Sequence, residues 1–154
     1  MQNNYLISVT TKQILSEDET DKIELVTDGS YTTKNGHRYI IYKEYSDDTP
    51  PQHSSTFVKI EQDEDNRDIV TISRRGAIHS DLTLEQGKRH QCHYNTPMGT
   101  LIMGVYTIKI DNRLGSEGGT LHLEYDIDFN SDFVSNNTCE INIKHNSSQE
   151  VTPS

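Results

Sequence analysis

The chain has 154 residues, with 24 acidic side chains against 14 basic ones and a formal net charge of −10. That is room for one domain, and a balance that excludes a general binder of nucleic acid or anionic membrane, since neither polyanion is attracted to it. Leu, Ile, Val and Phe number 34, about 22% of the chain, so the core is expected to be thin, while 38 Ile, Val and Thr against a single alanine, Ala77, nearly exclude a helical bundle.

Taken from the N-terminus, Tyr5, Ile7 and Val9 alternate with polar neighbours and predict a strand over 4–15, and Ile23 and Leu25 predict one over 21–28. Asn35-Gly36 then suits a two-residue hairpin turn of type I′, because both central positions need positive φ. A third strand is expected over 38–45. The stretch from Ser46 to Ser55, with Asp47-Asp48-Thr49-Pro50-Pro51, has nothing to bury and reads as an exposed loop able to act as a lid. Thr56, Val58 and Ile60 open a strand over 56–63, followed after Asp65-Asn66 by one over 68–75, after Arg75-Gly76 by one over 77–84, and after Gln86-Gly87 by one over 88–96. Thr96-Pro97-Met98-Gly99 suits a type I turn, with proline fixing φ at its second position. Beyond it a strand over 99–111 is apolar on both faces from Leu101 to Tyr106, so its outer face needs cover from another segment or a second subunit. After Gly115 through Gly119, the clearest alternation of the chain sets Leu121, Leu123, Tyr125, Ile127 and Phe129 against His122, Glu124, Asp126 and Asp128, a strand over 119–129. Asn130-Ser131 turns into a last strand over 133–145, carrying Cys139, Ile141 and Ile143, and a polar tail occupies 146–154.

Nine or ten strands joined by tight turns make an antiparallel meander, and a sheet this long removes its edges by curling into an up-and-down barrel. The shortage of apolar residues favours a barrel over a two-sheet sandwich, because a wide barrel tolerates polar side chains on its inner wall. One barrel domain over 1–145 is expected, without internal repeats or a domain boundary. No apolar run approaches a membrane helix, and Met1-Gln2-Asn3-Asn4 lacks the basic head of a signal peptide, so the chain reads as cytoplasmic. Cys92 and Cys139 are accordingly expected as reduced thiols, and the acceptor patterns Asn136-Asn137-Thr138 and Asn146-Ser147-Ser148 as turn and tail residues.

Four short patterns occur in order: Tyr42-x-Glu44, Thr56-x-x-Lys59, Arg74-x-Gly76 and Tyr94-x-Thr96-Pro97-x-Gly99, with Gly87 opening the strand that leads to Tyr94. In that order and spacing, over about residues 5–144, the chain resembles a family of small uncharacterised bacterial proteins, the YwiB-like domain of unknown function, assigned to the calycin or lipocalin-like barrels. The resemblance implies a closed, mostly antiparallel barrel and no assigned activity. The chain departs from it in being unusually acidic and in carrying His79, His90 and His93.

One segment runs against the charge balance: over residues 74–93, Arg74, Arg75, Lys88 and Arg89 outnumber Asp81 and Glu85. Arg74 shares a face with Val70 and Ile72 and is expected to point inward near a strand end, where its guanidinium either forks onto a carboxylate or phosphate or pairs internally with Glu44. Tyrosines there can line a pocket with the ring and bind a polar group with the hydroxyl, or simply sit packed at the barrel mouth. The candidate ligand-binding set is Arg74, Tyr42, Tyr94, Glu44, Lys59 and His79. His90-Gln91-Cys92-His93 invites a metal, but on a strand only His90 and Cys92 share a face, and no spacing demands a third ligand from His79 or Cys139. The acidic runs Asp18, Glu19, Asp21 and Asp63, Glu64, Asp65, Asp68 could catch a cation but read as solvated turns, Asp63 to Asp68 lacking EF-hand spacing, and neither a nucleophile elbow nor a phosphate-cradling glycine loop occurs. The expectation is a non-enzymatic barrel binding a small anionic or amphipathic molecule, without cofactor or metal. The alternatives are an interaction module or homodimer through 101–106, and last an enzyme acting through Glu44 with Arg74 or His79.

Overall fold

A computed structural model describes residues 5–16, 18–45, 53–76 and 78–146, and all ten elements in it are strands. They are β1 (Tyr5–Ser16), β2 (Glu19–Lys34), β3 (His37–Tyr45), β4 (His53–Gln62), β5 (Asp68–Arg75), β6 (His79–Glu85), β7 (Arg89–Thr96), β8 (Gly99–Gly115), β9 (Gly118–Phe129) and β10 (Asp132–His145). Each pairs antiparallel with its neighbour in sequence, and β1 pairs with β10 to close the ring. The architecture is the expected meander barrel, with no helix and no crossover among the described residues. The lid reading falls on residues 46–52, outside the described residues, and 53–55 belong to β4. Of the tail, Asn146 is tied to Asp28 by a 3.0 Å hydrogen bond, and 147–154 also lie outside the described residues.

The turns follow their chemistry. Asn35 and Gly36 have φ of 55° and 81°, as a type I′ hairpin requires, and Asn130 and Ser131 repeat the pattern at 52° and 73°. At the proline turn the Thr96 hydroxyl accepts from the Met98 amide and donates to the Gly99 carbonyl. One strand here runs longer than its alternation suggests. β2 continues through Gly29-Ser30 to Lys34, because Gly29 is a point of close approach rather than a turn: a Cβ there would lie 2.3 Å from Ile7 Cδ1 and 2.5 Å from the Ile41 carbonyl oxygen. Asn136 is likewise a strand residue rather than a turn residue, donating to Asp126 and Glu124 from the middle of β10.

Side chains of period two put Ile7, Val9, Ile40, Val58, Ile60, Val70, Leu84, Val105, Leu121, Leu123, Ile141 and Ile143 inside. They fill one half of the barrel, so its polar inner wall is confined to the other half. The packed end is also capped. β3 and β8 stand on opposite sides of the ten-strand ring, yet Arg38 Nη1 donates to the Gly115 carbonyl at 2.6 Å, and so does Tyr31 Oη. The long β8 therefore folds over this end, Leu114 packing on the core and Asn112 donating to Asp68. The edge it exposes there is protected by side chains, with the Ile110 amide donating to Gln86 Oε1 and the Leu114 amide to Asn112 Oδ1.

Candidate functional site

At the opposite end the register aligns one inward residue from each of six consecutive strands: Tyr42 with Thr56, Thr56 with Arg74, Arg74 with Ser80, Ser80 with Tyr94, and Tyr94 with Leu101. This cross-strand row carries Tyr42, Arg74 and Tyr94 on alternate strands, with Thr56 and Ser80 between them. Glu44, two residues further along β3, reaches Arg74 Nη2 at 3.5 Å, a loose contact in which the two side chains remain 31% and 41% exposed. Among the described residues Glu44 is the acid that meets this guanidinium, through a single nitrogen.

The row rests on a buried polar floor. Tyr42 and Thr56 are buried, and burial pushes the Tyr42 hydroxyl well above the usual phenol range. Tyr125 of β9 and Cys139 of β10 complete the floor from across the ring; burial raises the Tyr125 hydroxyl likewise and pushes the Cys139 thiol up to about 12, while Arg74 draws both back down. Each of these groups is neutral near pH 7, so Arg74 and Glu44 carry the formal charge of the site. The alternation of β9 shows Tyr125 facing inward, but its meeting with β5 residues depends on how the ring closes, which no local pattern encodes.

Two members of the candidate set are placed elsewhere. Lys59 alternates with buried Val58 and Ile60 and so projects outward, where it pairs with Glu61 at 3.4 Å. His79 alternates with buried Ser80 and is exposed on the outer wall opposite Asn95. In His90-Gln91-Cys92-His93, Cys92 is buried inside and His93 exposed outside, as the period requires. His90 meets Glu85 Oε1 at 2.9 Å, across the seam where β6 and β7 pair only from His79 to Asp81. Among the described residues no three His, Cys, Asp or Glu side chains converge as a metal site does.

The doubly apolar stretch of β8 is covered in part by its own chain. Arg89 reaches over Gly104, where a Cβ would lie 2.1 Å from its Nη2, and forks onto Asp128 at 2.7 and 3.0 Å. Leu101, Ile102 and Tyr106 remain 47%, 53% and 42% exposed. A concavity of about 190 Å³ beside Arg89 and Ile102, and one of about 500 Å³ between the β4–β5 and β6–β7 turns, both lie outside the cross-strand row. Among the described residues no helix is long and apolar enough to cross a membrane.

Comparison with known proteins agrees with this architecture. The crystal structure of the ywiB protein from Bacillus subtilis superposes with a TM-score of 0.73, covering 94% of each chain at 23% identity, so the two share a fold. No curated protein sequence matches. Residues 7–141 match the model of a domain of unknown function, DUF1934, and the chain belongs to that family.

Proposed function

We propose that this barrel is a non-enzymatic binding protein that holds a small amphipathic anion at the end that bears the cross-strand row, with the anionic group on Arg74. The observation that carries this reading is an inward-facing arginine, 41% exposed, whose acidic neighbour lies at a loose 3.5 Å. A structural ion pair would be expected shorter and more fully engaged. The half-buried Tyr94 ring and the exposed Leu101 side chain beside it offer an apolar wall for the body of the ligand. Glu44 then acts as a placeholder that an incoming carboxylate, sulfonate or phosphate displaces. The neutral Cys139 thiol and the phenols of the floor suit binding better than nucleophilic chemistry, which needs a thiolate.

The fluorescent amphipathic anion 8-anilinonaphthalene sulfonate is the probe for a titration of the native protein. Arg74→Gln is expected to weaken binding about tenfold, the effect of losing one charge-assisted hydrogen bond. Glu44→Gln is expected to strengthen it, because the competing carboxylate is gone. Thermal melts of both variants check that the barrel remains folded. Equal affinity in all three proteins, each folded, overturns the reading.

A further inference from the structure

The wall of the barrel has a weak line between β6 and β7. Neighbouring strands elsewhere in the ring share six rungs or more, whereas β6 and β7 share three, from His79 opposite Asn95 to Asp81 opposite His93. The same register continued would set Leu82 opposite Cys92, Thr83 opposite Gln91 and Glu85 opposite Arg89. None of these rungs forms, although every residue of both strands is described.

The cause lies in β8. The 86–88 turn that would close the hairpin is drawn onto that strand, beside its bulge at Ile108: the Gly87 amide donates to the Thr107 carbonyl at 2.8 Å, the Thr107 amide to the Lys88 carbonyl at 3.1 Å, and the Ile110 amide to Gln86 Oε1 at 2.9 Å. Each lip of the gap is paired on its far side, β6 with β5 and β7 with β8. Both ends of the gap are tied as well. At one end stands the Ser80–Tyr94 rung of the cross-strand row. At the other the Lys88 amide donates to the Glu85 carbonyl at 3.0 Å, and the Glu85 carboxylate clasps His90 Nε2 at 2.9 Å and Lys88 Nζ at 3.0 Å. The frame therefore admits no further strand, but the four residues from Asp81 to Glu85 span about 13 Å, long enough to pass an aromatic ring once the lips part.

Side chains hold the lips together: buried Leu84 and Cys92 on the inner face, the Cys92 thiol against the Thr83 backbone, and the Glu85 clasp. The floor of the row lies behind them. Cys92 is the next inward residue on β7 after Tyr94, and it stands within electrostatic reach of the Tyr125 hydroxyl. We infer that the barrel opens sideways at this seam, β6 and β7 parting between the Ser80–Tyr94 rung and the Glu85 clasp, and that the opening is the gate by which an amphipathic anion reaches Arg74. The inference rests on the binding role proposed above. A stretch of wall without backbone rungs opens at the cost of its side-chain contacts, so its opening is separable from global unfolding.

The two thiols report on the seam. Brief treatment of the native chain with N-ethylmaleimide, followed by digestion, resolves the labelling of Cys92 behind the seam from that of Cys139 on β10. Glu85→Ala is expected to raise the Cys92 rate several-fold and leave the Cys139 rate unchanged, a split that a general loss of stability cannot imitate. Stopped-flow mixing with 8-anilinonaphthalene sulfonate tests the gate. The same variant should quicken association and dissociation by a like factor and leave the dissociation constant within about twofold, because a gate changes the barrier and not the end states. Equal acceleration at both thiols, or at neither, overturns the seam as a separate opening. A faster Cys92 with unchanged sulfonate rates puts entry at the end of the barrel and overturns the gate. Absence of sulfonate binding to the folded wild-type protein overturns the binding role and the gate with it, while the Cys92 rate still decides whether the seam opens.

Discussion

At the scale of single residues, the site shows which facts period two carries and which it does not. That Arg74 points inward follows from its sharing a face with Val70 and Ile72, and the structure bears this out through its rungs to Thr56 and Ser80. Lys59 alternates with Val58 and Ile60 and is thereby turned outward, away from Arg74, and the same argument applies to His79 beside Ser80. Tyr125 and Cys139 were inward by pattern but could not be joined to Arg74 without knowing the ring's closure. Thr107 offers a test of the same logic within the packed half. It is fully buried, next to the bulge at Ile108, and its hydroxyl has no hydrogen-bond partner among the described residues. A buried hydroxyl without a partner forfeits its solvation, whereas a methyl of the same shape does not. Thr107→Val is expected to stabilise the protein by about 1 kcal/mol, raising Tm by about 2–4 °C in a chain of this size. A lower Tm in a calorimetric scan would show that the hydroxyl is satisfied.

At the scale of elements, β8 runs past what its sequence suggests. The pattern predicts a strand over 99–111, yet it continues to Gly115. The reason is not local: the last turn of β8 is held by β2 and β3 across the barrel, through Tyr31 and Arg38 on the Gly115 carbonyl. Such a contact, between residues 84 positions apart, is invisible to any window along the chain. It also makes the cap a unit with few anchors, so its opening is expected to be separable from global unfolding. Tyr31→Phe removes one of the two donors to Gly115 and should cost about 1 kcal/mol. Amide exchange from Lys109 to Gly119 is expected to quicken several-fold while the β1–β10 ladder is unaffected. Uniform acceleration over both regions would mean that the cap is no separate unit.

At the scale of the whole molecule, the barrel carries its shifted carboxyls outside and its neutral titratable groups inside, and the two populations fix opposite flanks of a stability profile. Outside, Ser73 and Arg75 hold the Asp81 carboxyl below its ordinary 3.8, Lys88 and His90 hold Glu85 below 4.5, and Arg89 holds Asp128 below 3.8. Groups depressed by folding contribute stability that is fully present above their unfolded values and is lost as pH falls through the folded ones, so the acid flank begins below about 4.5. Inside, burial raises Tyr42 and Tyr125 above 10.0 and Cys139 from 9.0 to about 12. Groups raised by folding contribute stability that is whole below their unfolded values and drains as pH rises toward the folded ones, so the alkaline flank begins near 9. Tm measured against pH is therefore expected to fall on both sides of a neutral plateau. The alkaline side isolates the floor of the proposed site, since Tyr42→Phe with Tyr125→Phe deletes two of its ionisable groups and little of its shape. That double variant should carry the descent to higher pH, and in the parent protein tyrosinate absorbance should lag behind that of an unfolded chain for these two residues. If the alkaline descent stays where it was in the double variant, the phenols are solvated rather than buried, and the floor beneath Arg74 is wet.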